Sequence, residues 1–285
     1  MELMAEITAA AVKSLRERTG AGLMDCKRAL AETGGDEEKA IDLLRQRGVS
    51  KAAKRSGRTA TEGIVVVSRD ADRVSMAMAL SETDFVARNE EFVAFANAVV
   101  ASLGTTGLPT GEVVDGSVLL ESVGDLQSEL ENLRSSMGEN IQVGGAVTYV
   151  ASPDAVVGSY VHFDNKIGVL VQLEGADGVA DAQDAADSVA LHIAATAPLG
   201  ISEDDIDPEV IERERHVLIE QAKEEGKPEQ IAEKIVEGRM RKFFEQSALL
   251  WQAFVKDPDV SIREVLERSD TGLKIARFAR LEVGG

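Results

Sequence analysis

The sequence predicts an α+β protein: an N-terminal three-helix domain, two α+β core subdomains with antiparallel sheets, and an antiparallel helical hairpin inserted in the second. Three patterns predict it. Apolar residues recur at helical spacing between glycine-rich breaks from Ile7 to Gly48. After Gly63 the period becomes that of strands, and strands give way to a helical stretch in each half of the chain. From Pro208 the apolar pairs Val210-Ile211 and Val217-Leu218 recur at a seven-residue interval, and Gly226-Lys227-Pro228 then breaks the helix.

In the first segment Thr8 and Asp36 suit helix N-caps, because a short side-chain oxygen can accept from the free N–H groups of a first turn. Gly20, Gly22, Gly34, Gly35 and Gly48 punctuate the helix ends. Val12 with Leu15, Met24 with Ala29 and Leu30, and Ala40 with Ile41 and Leu44 give each helix an apolar stripe. A bundle of roughly 40 residues lies near the lower limit of independent stability, which suits a tethered docking module. Arg45 to Arg58 holds six basic and no acidic residues; its later part reads as an exposed linker. It carries no aromatic for bases to stack on, so it does not read as a nucleic-acid surface.

Ile64 to Val67 and Val74 to Leu80 read as strands joined through Arg69–Arg73, and Glu90 to Leu103 returns to helical spacing. A Gly/Thr/Pro loop near Gly104–Gly111 precedes a helix through Leu119, Leu126, Leu130 and Leu133. The second half reads as strands over Val143–Val150, Val156–Phe163 and Ile167–Leu173, then a helix over Val179–Ala197. The two halves share an order of elements without sequence repetition. In the helical hairpin, Ile231, Ile235, Val236, Met240 and Phe243 continue the stripe on the return. A helix through Ile262, Val265 and Leu266 and a strand over Arg277–Val283 close the chain. The expected domains are 1–55, 56–140, 141–207 with 248–285, and the insertion 208–247.

Composition bounds the function. The 285 residues are 44% hydrophobic and 28% charged, enough to bury a core that aliphatic side chains must fill, since aromatics are 4%. A net charge of -19, from 50 acidic and 31 basic residues, repels a phosphate backbone over most of the surface, so no direct nucleic-acid partner is expected. The single Cys26 can form neither an internal disulfide nor a thiolate metal cluster, and suits a reducing cytoplasm. With no apolar run of about 18 residues and no signal peptide at Met1–Glu6, the chain is expected to be cytoplasmic and to engage no membrane.

Enzyme chemistry is not legible. His162, His192 and His216 lie far apart with no nucleophile motif near them, His192 reading as a satisfied helix histidine and His216 as solvated. Neither GxGxxG after a strand nor GxxxxGK[ST] is present, so no nucleotide or other cofactor is expected. Acidic pairs such as Asp204-Asp205 and Glu90-Glu91 read as solvated faces. No catalytic or metal-ligating residue is assigned. The segment Glu82-Thr83-Asp84-Phe85-Val86-Ala87-Arg88-Asn89 is less ordinary, because it sets a phenylalanine beside a carboxylate between a strand and a helix. The residues alone favour Phe85 folded back into the core, where aromatics usually belong, over Phe85 presented to a partner.

Four segments in order resemble the elongation factor Ts family: Leu15 to Leu30, Thr83 to Asn89, Met137 to Ile141, and Gly226-Lys227-Pro228 leading to Ala232–Met240. The resemblance implies a ubiquitin-associated-like N-terminal domain, a two-subdomain core and a coiled-coil arm. It also implies a translation elongation factor that binds elongation factor Tu in its GDP form and promotes GDP release without covalent chemistry, so that GTP can rebind. In that family the Thr-Asp-Phe-Val segment pushes into the GTPase domain and displaces its magnesium ion, which gives that role to Thr83, Asp84, Phe85 and Val86. The family's N-terminal domain grips the same GTPase domain, implying contacts from Val12, Arg16, Gly20, Ala21, Gly22, Leu23 and Met24. Met137, Gly138 and His162 fall where the core subdomains face it. Phe163-Asp164-Asn165-Lys166 stands where many relatives have a glycine-rich turn, and a final helix found in some relatives is not expected here. The arm could pair two copies into a homodimer. A competing reading is a non-enzymatic adaptor or chaperone using the helical domain for another partner; an RNA-binding translation protein is disfavoured by charge.

Overall fold

The computed structural model describes residues 7–19, 21–55, 57–225, 229–268 and 272–285. The Gly226-Lys227-Pro228 break and Gly20 lie outside the described residues.

Helices α1 (Ala9–Thr19), α2 (Leu23–Glu32) and α3 (Glu37–Arg55) close around Val12, Leu15, Cys26, Ala29, Leu30 and Ala40. Both expected caps are made: the Thr8 hydroxyl accepts from Ala11 N–H at 3.2 Å, and Asp36 Oδ1 accepts from Lys39 N–H at 3.1 Å. The basic stretch expected to be a linker is helical instead, because α3 runs through Gly48 to Arg55. Lys, Arg and Ala are good helix formers, and one glycine costs only about 1 kcal/mol in a helix.

The core is a four-layer stack. Strands β1 (Glu62–Asp70), β2 (Arg73–Ser81) and β3 (Gln142–Val150) form one antiparallel sheet; β4 (Ala155–Val161), β5 (Ile167–Glu174) and β8 (Lys274–Glu282) form the other. The sheets face each other across Val65, Met76, Tyr149, Val157, Leu170 and Leu281. Burial between the sheets pushes the Tyr149 phenol up to about 12, with the Arg277 guanidinium 4.9 Å over its ring. Outside the first sheet lie α5 (Glu90–Ser102), α6 (Gly116–Ser122) and α7 (Gly124–Met137). Outside the second lies α8 (Ala182–Thr196).

Strand β5 shows why its sequence is continuously apolar rather than alternating. Val169, Val171 and Leu173 face the α8 layer while Leu170 faces the first sheet, so both faces are buried. Gly168 lets the sheets close together, since a Cβ there would sit 2.4 Å from Val65 Cγ1. The strand at 143–150, grouped by sequence with those that follow it, pairs instead with β2 in the first sheet. Pairing partners across some 70 residues leave no local trace in a sequence. The helix expected through Leu119 to Leu133 is two helices, broken at Val123 (φ -131, ψ 89), where a β-branched residue precedes Gly124.

Helices α9 (Pro208–Glu224) and α10 (Glu229–Ser247) pack together through Leu218, Ala222, Val236 and Met240. A short pair, β6 (Ala253–Phe254) and β7 (Asp257–Ser261), leads into α11 (Ile262–Arg268); its strands are too short to carry a periodic signal. His192, fully buried in α8, ties this segment down. Its Nδ1 accepts from Val255 N–H at 3.3 Å, so Nε2 carries the proton and donates to Gln252 Oε1 at 3.0 Å.

Candidate functional site

Strand β2 ends at the buried Ser81, whose hydroxyl donates to Thr83 O at 2.9 Å and begins to turn the chain. Thr83 is extended (φ -127, ψ 155) and its Oγ1 accepts from Val86 N–H at 3.4 Å, capping the single turn α4 (Asp84–Ala87). Val86 and Ala87 enter the core beneath. Asn89 then caps α5 by accepting from Glu91 N–H at 2.8 Å.

With Val86 and Ala87 committed inward, the neighbouring position points out. Phe85 is 83% exposed. The expectation that it folds back into the core is therefore overturned: in a turn this short the inward positions are already filled by Val86 and Ala87.

The loop is held from the far end of α7. Gly138 caps that helix in the left-handed region (φ 74), its N–H donating to Arg134 O at 3.1 Å, and the reversal brings Glu139 beneath the loop. Glu139 Oε2 accepts from the backbone N–H of Glu82 and of Thr83, each at 3.1 Å, while Oε1 accepts from the Thr83 hydroxyl at 2.6 Å. Glu82 Oε1 in return accepts from Asn140 N–H at 2.6 Å, and the Asn140 side chain donates to Arg58 O at 2.7 Å. Bonds to a charged acceptor are about twice as strong as neutral ones. The structure thus brings Thr83–Asn89 and Met137–Ile141, separate in sequence, into one unit. Met137 packs half-buried against the core, and Gly138 is exposed.

Glu82, Glu139 and Asn140 lie in segments noted in the sequence, but none of the three was assigned a role there. All are polar residues flanking helix or strand ends, and only the register of β2 against β3 reveals that they meet.

His162 lies at the β4–β5 turn, its Nδ1 3.1 Å from the Tyr160 hydroxyl. Beside it Phe163 is 88% exposed, with ring centroids 4.5 Å apart. This turn and α4 form opposite banks of one groove, lined by Asp84, Ala87 and Arg88 on one side and Phe163 and Lys166 on the other.

The N-terminal candidates sit on their own helical unit. Leu23 (52%) and Met24 (65%) are exposed at the start of α2, next to the exposed Gly22, and Arg16 is exposed on α1. Val12 and Ala21 are buried and support this surface from beneath. Among the described residues no group of three or more His, Cys, Asp or Glu side chains is placed to hold a metal ion. Among the same residues no helix is long and apolar enough to cross a membrane.

The family profile described as Elongation factor TS matches residues 82–285. An elongation factor Ts of Alkalilimnicola ehrlichii is 46% identical over 281 residues, covering 98% of this chain and 92% of that protein. One of Rhizobium etli is 43% identical over 291 residues, covering 99% and 94%. One of Rhizobium rhizogenes is 44% identical over the same length and shares of the two chains. With the matched region beginning at the loop that carries Phe85 and running through the clamp beneath it, this chain belongs to the elongation factor Ts family.

Proposed function

We propose that this protein, a nucleotide exchange factor of translation elongation, opens elongation factor Tu by pressing Phe85 into its GTPase domain. The carrying observation is that a large apolar side chain is left in water on a loop whose backbone is clamped from beneath. Such a loop does not have to be ordered on binding, so little of the contact energy is lost to conformational entropy. Thr83 and Val86 set the direction of the wedge, and Asp84 and Phe85 present it.

In this reading the inserted ring shifts groups that hold the magnesium ion on the partner's nucleotide phosphates. Losing that ion weakens GDP, and by linkage GDP weakens the exchange factor equally. Moving a two-state equilibrium from 1:99 to 99:1 takes about 5.5 kcal/mol of differential affinity, while fully burying one phenylalanine supplies about 1.5–3 kcal/mol. Phe85 therefore acts with anchors. Leu23 and Met24, with Arg16, Ala21 and Gly22, supply one on a ubiquitin-associated-like unit; Met137, Gly138 and His162 supply the other.

The arm of α9 and α10 is read as an antiparallel coiled coil whose outer face could pair two copies. A cytoplasmic setting follows from this function. Mixing the protein with GDP-loaded elongation factor Tu and following nucleotide release tests the reading. Accelerated release is expected; GDP that stays bound would leave the adaptor reading in its place.

A further inference from the structure

We propose that Phe163 is a second contact residue for the GTPase domain that receives Phe85, so that the partner is held by two aromatic side chains on the two banks of one groove. The inference rests on the reading that the Phe85 loop meets that domain.

A single exposed phenylalanine is ordinary on a protein surface. Here the two most exposed large apolar side chains among the described residues are Phe163 at 88%, which lines the groove, and Phe85 at 83%, carried on the same turn as Asp84 and Ala87, which line its other bank. They come from different sheets: Phe85 follows the first, and Phe163 sits at the tip of the β4–β5 hairpin of the second.

The tip that carries Phe163 is built rather than loose. Asn165 N–H donates to His162 O at 2.8 Å across the turn, Asn165 takes the left-handed conformation (φ 59), and Asp164 Oδ1 accepts from Lys166 N–H at 3.0 Å. It is also stitched to the first sheet. Val65 N–H donates to Asn165 O at 2.7 Å, and Lys166 Nζ lies 2.8 Å from Glu62 Oε2. These bonds fix the hairpin tip against β1, and both phenylalanine rings are left largely in water.

One occupant fits. A standard interface covers about 800 Å² on each partner, and a surface that covers Phe85 on α4 reaches the hairpin tip across the groove within that footprint. Aromatic side chains, phenylalanine among them, are enriched in such contacts. The His162 ring, tilted at 54° against Phe163, restricts the rotamers open to it and extends the apolar area.

The test compares Phe163→Ala, Phe85→Ala and the unsubstituted full chain. Affinity for nucleotide-free elongation factor Tu is measured by calorimetry, GDP release by fluorescence, and the thermal midpoint of each variant separately. Phe163→Ala is expected to weaken the complex about tenfold with an unchanged midpoint. Unchanged affinity in Phe163→Ala beside impaired Phe85→Ala overturns the second contact and leaves the Phe85 reading intact. The reverse pattern keeps the second contact and removes the wedge. No change in either variant overturns both.

Discussion

Glu82 and Glu139 tie their two segments together: the Glu82 N–H donates to Glu139 Oε2 at 3.1 Å across 57 positions, and Glu82 Oε1 accepts from the N–H of Asn140, the residue after Glu139, at 2.6 Å. Two acidic side chains thereby act as the ties of a loop rather than as a catalytic pair. Each satisfies donors that the end of β2 and the end of α7 would otherwise leave open.

Glu139→Ala removes the acceptor for two backbone N–H groups and one hydroxyl. Leaving such donors without partners costs about 1–3 kcal/mol. Thermal unfolding should fall accordingly, and GDP release should slow although Phe85 itself is untouched. Release at the unsubstituted rate would show that the clamp does not position the wedge.

Phe85→Ala should separate folding from function. Exposed substitutions away from caps and cores usually change stability by less than about 0.5 kcal/mol. Chemical denaturation is expected to be unchanged, while GDP release at limiting protein slows about tenfold or more. A parallel drop in stability would mean the ring packs against its own subdomain.

His192 sets an acid limit on the segment around Gln252 and Val255. Burial holds its pKa below the usual 6.5, against the smaller raising effect of the Gln252 hydrogen bond. Below 6.5 the unfolded chain takes up a proton that the folded chain resists. The stability contribution is therefore complete above about pH 6.5 and is lost as pH falls towards the depressed folded value. Unfolding midpoints at about pH 7.5 and about pH 5.5 should differ in the unsubstituted chain and differ less in His192→Gln.

Gly158→Ala probes the seam between β4 and α8. A Cβ at that position would lie 2.3 Å from the backbone of Ala186, so the helix layer must move away from the second sheet. Overpacking of this kind costs about 1–3 kcal/mol. The loss should appear in denaturant unfolding without altering the exposed Phe85 loop.

Helix placement was legible because its signals are local. Thr8 and Asp36 cap as their side chains predict, and the stripe of Leu126, Leu130 and Leu133 lies in the core. The mixed α+β class followed from the same periodicities. What escaped depends on neighbours distant in sequence. β3 joins the first sheet through register with β2, and Glu139 reaches Thr83 only because of that pairing. Phe85 was misplaced by the residues alone, since aromatic character argues for burial and nothing local shows that Val86 and Ala87 have taken the inward positions. Family likeness pointed to it as a contact; the exposed Phe163 had no such pointer.

The middle strand of the second sheet waits for its outer neighbour. Arg277 on β8 donates from Nε to Gln172 Oε1 on β5, 105 positions earlier at 2.7 Å, so β5 is made long before that side of it can be paired. During synthesis an emerging chain carries this strand with one row of peptide groups unsatisfied, a template for other strands. A product cut off before Lys274 keeps the loop, the clamp and both phenylalanines yet retains that raw edge, and aggregation rather than exchange is its expected fate.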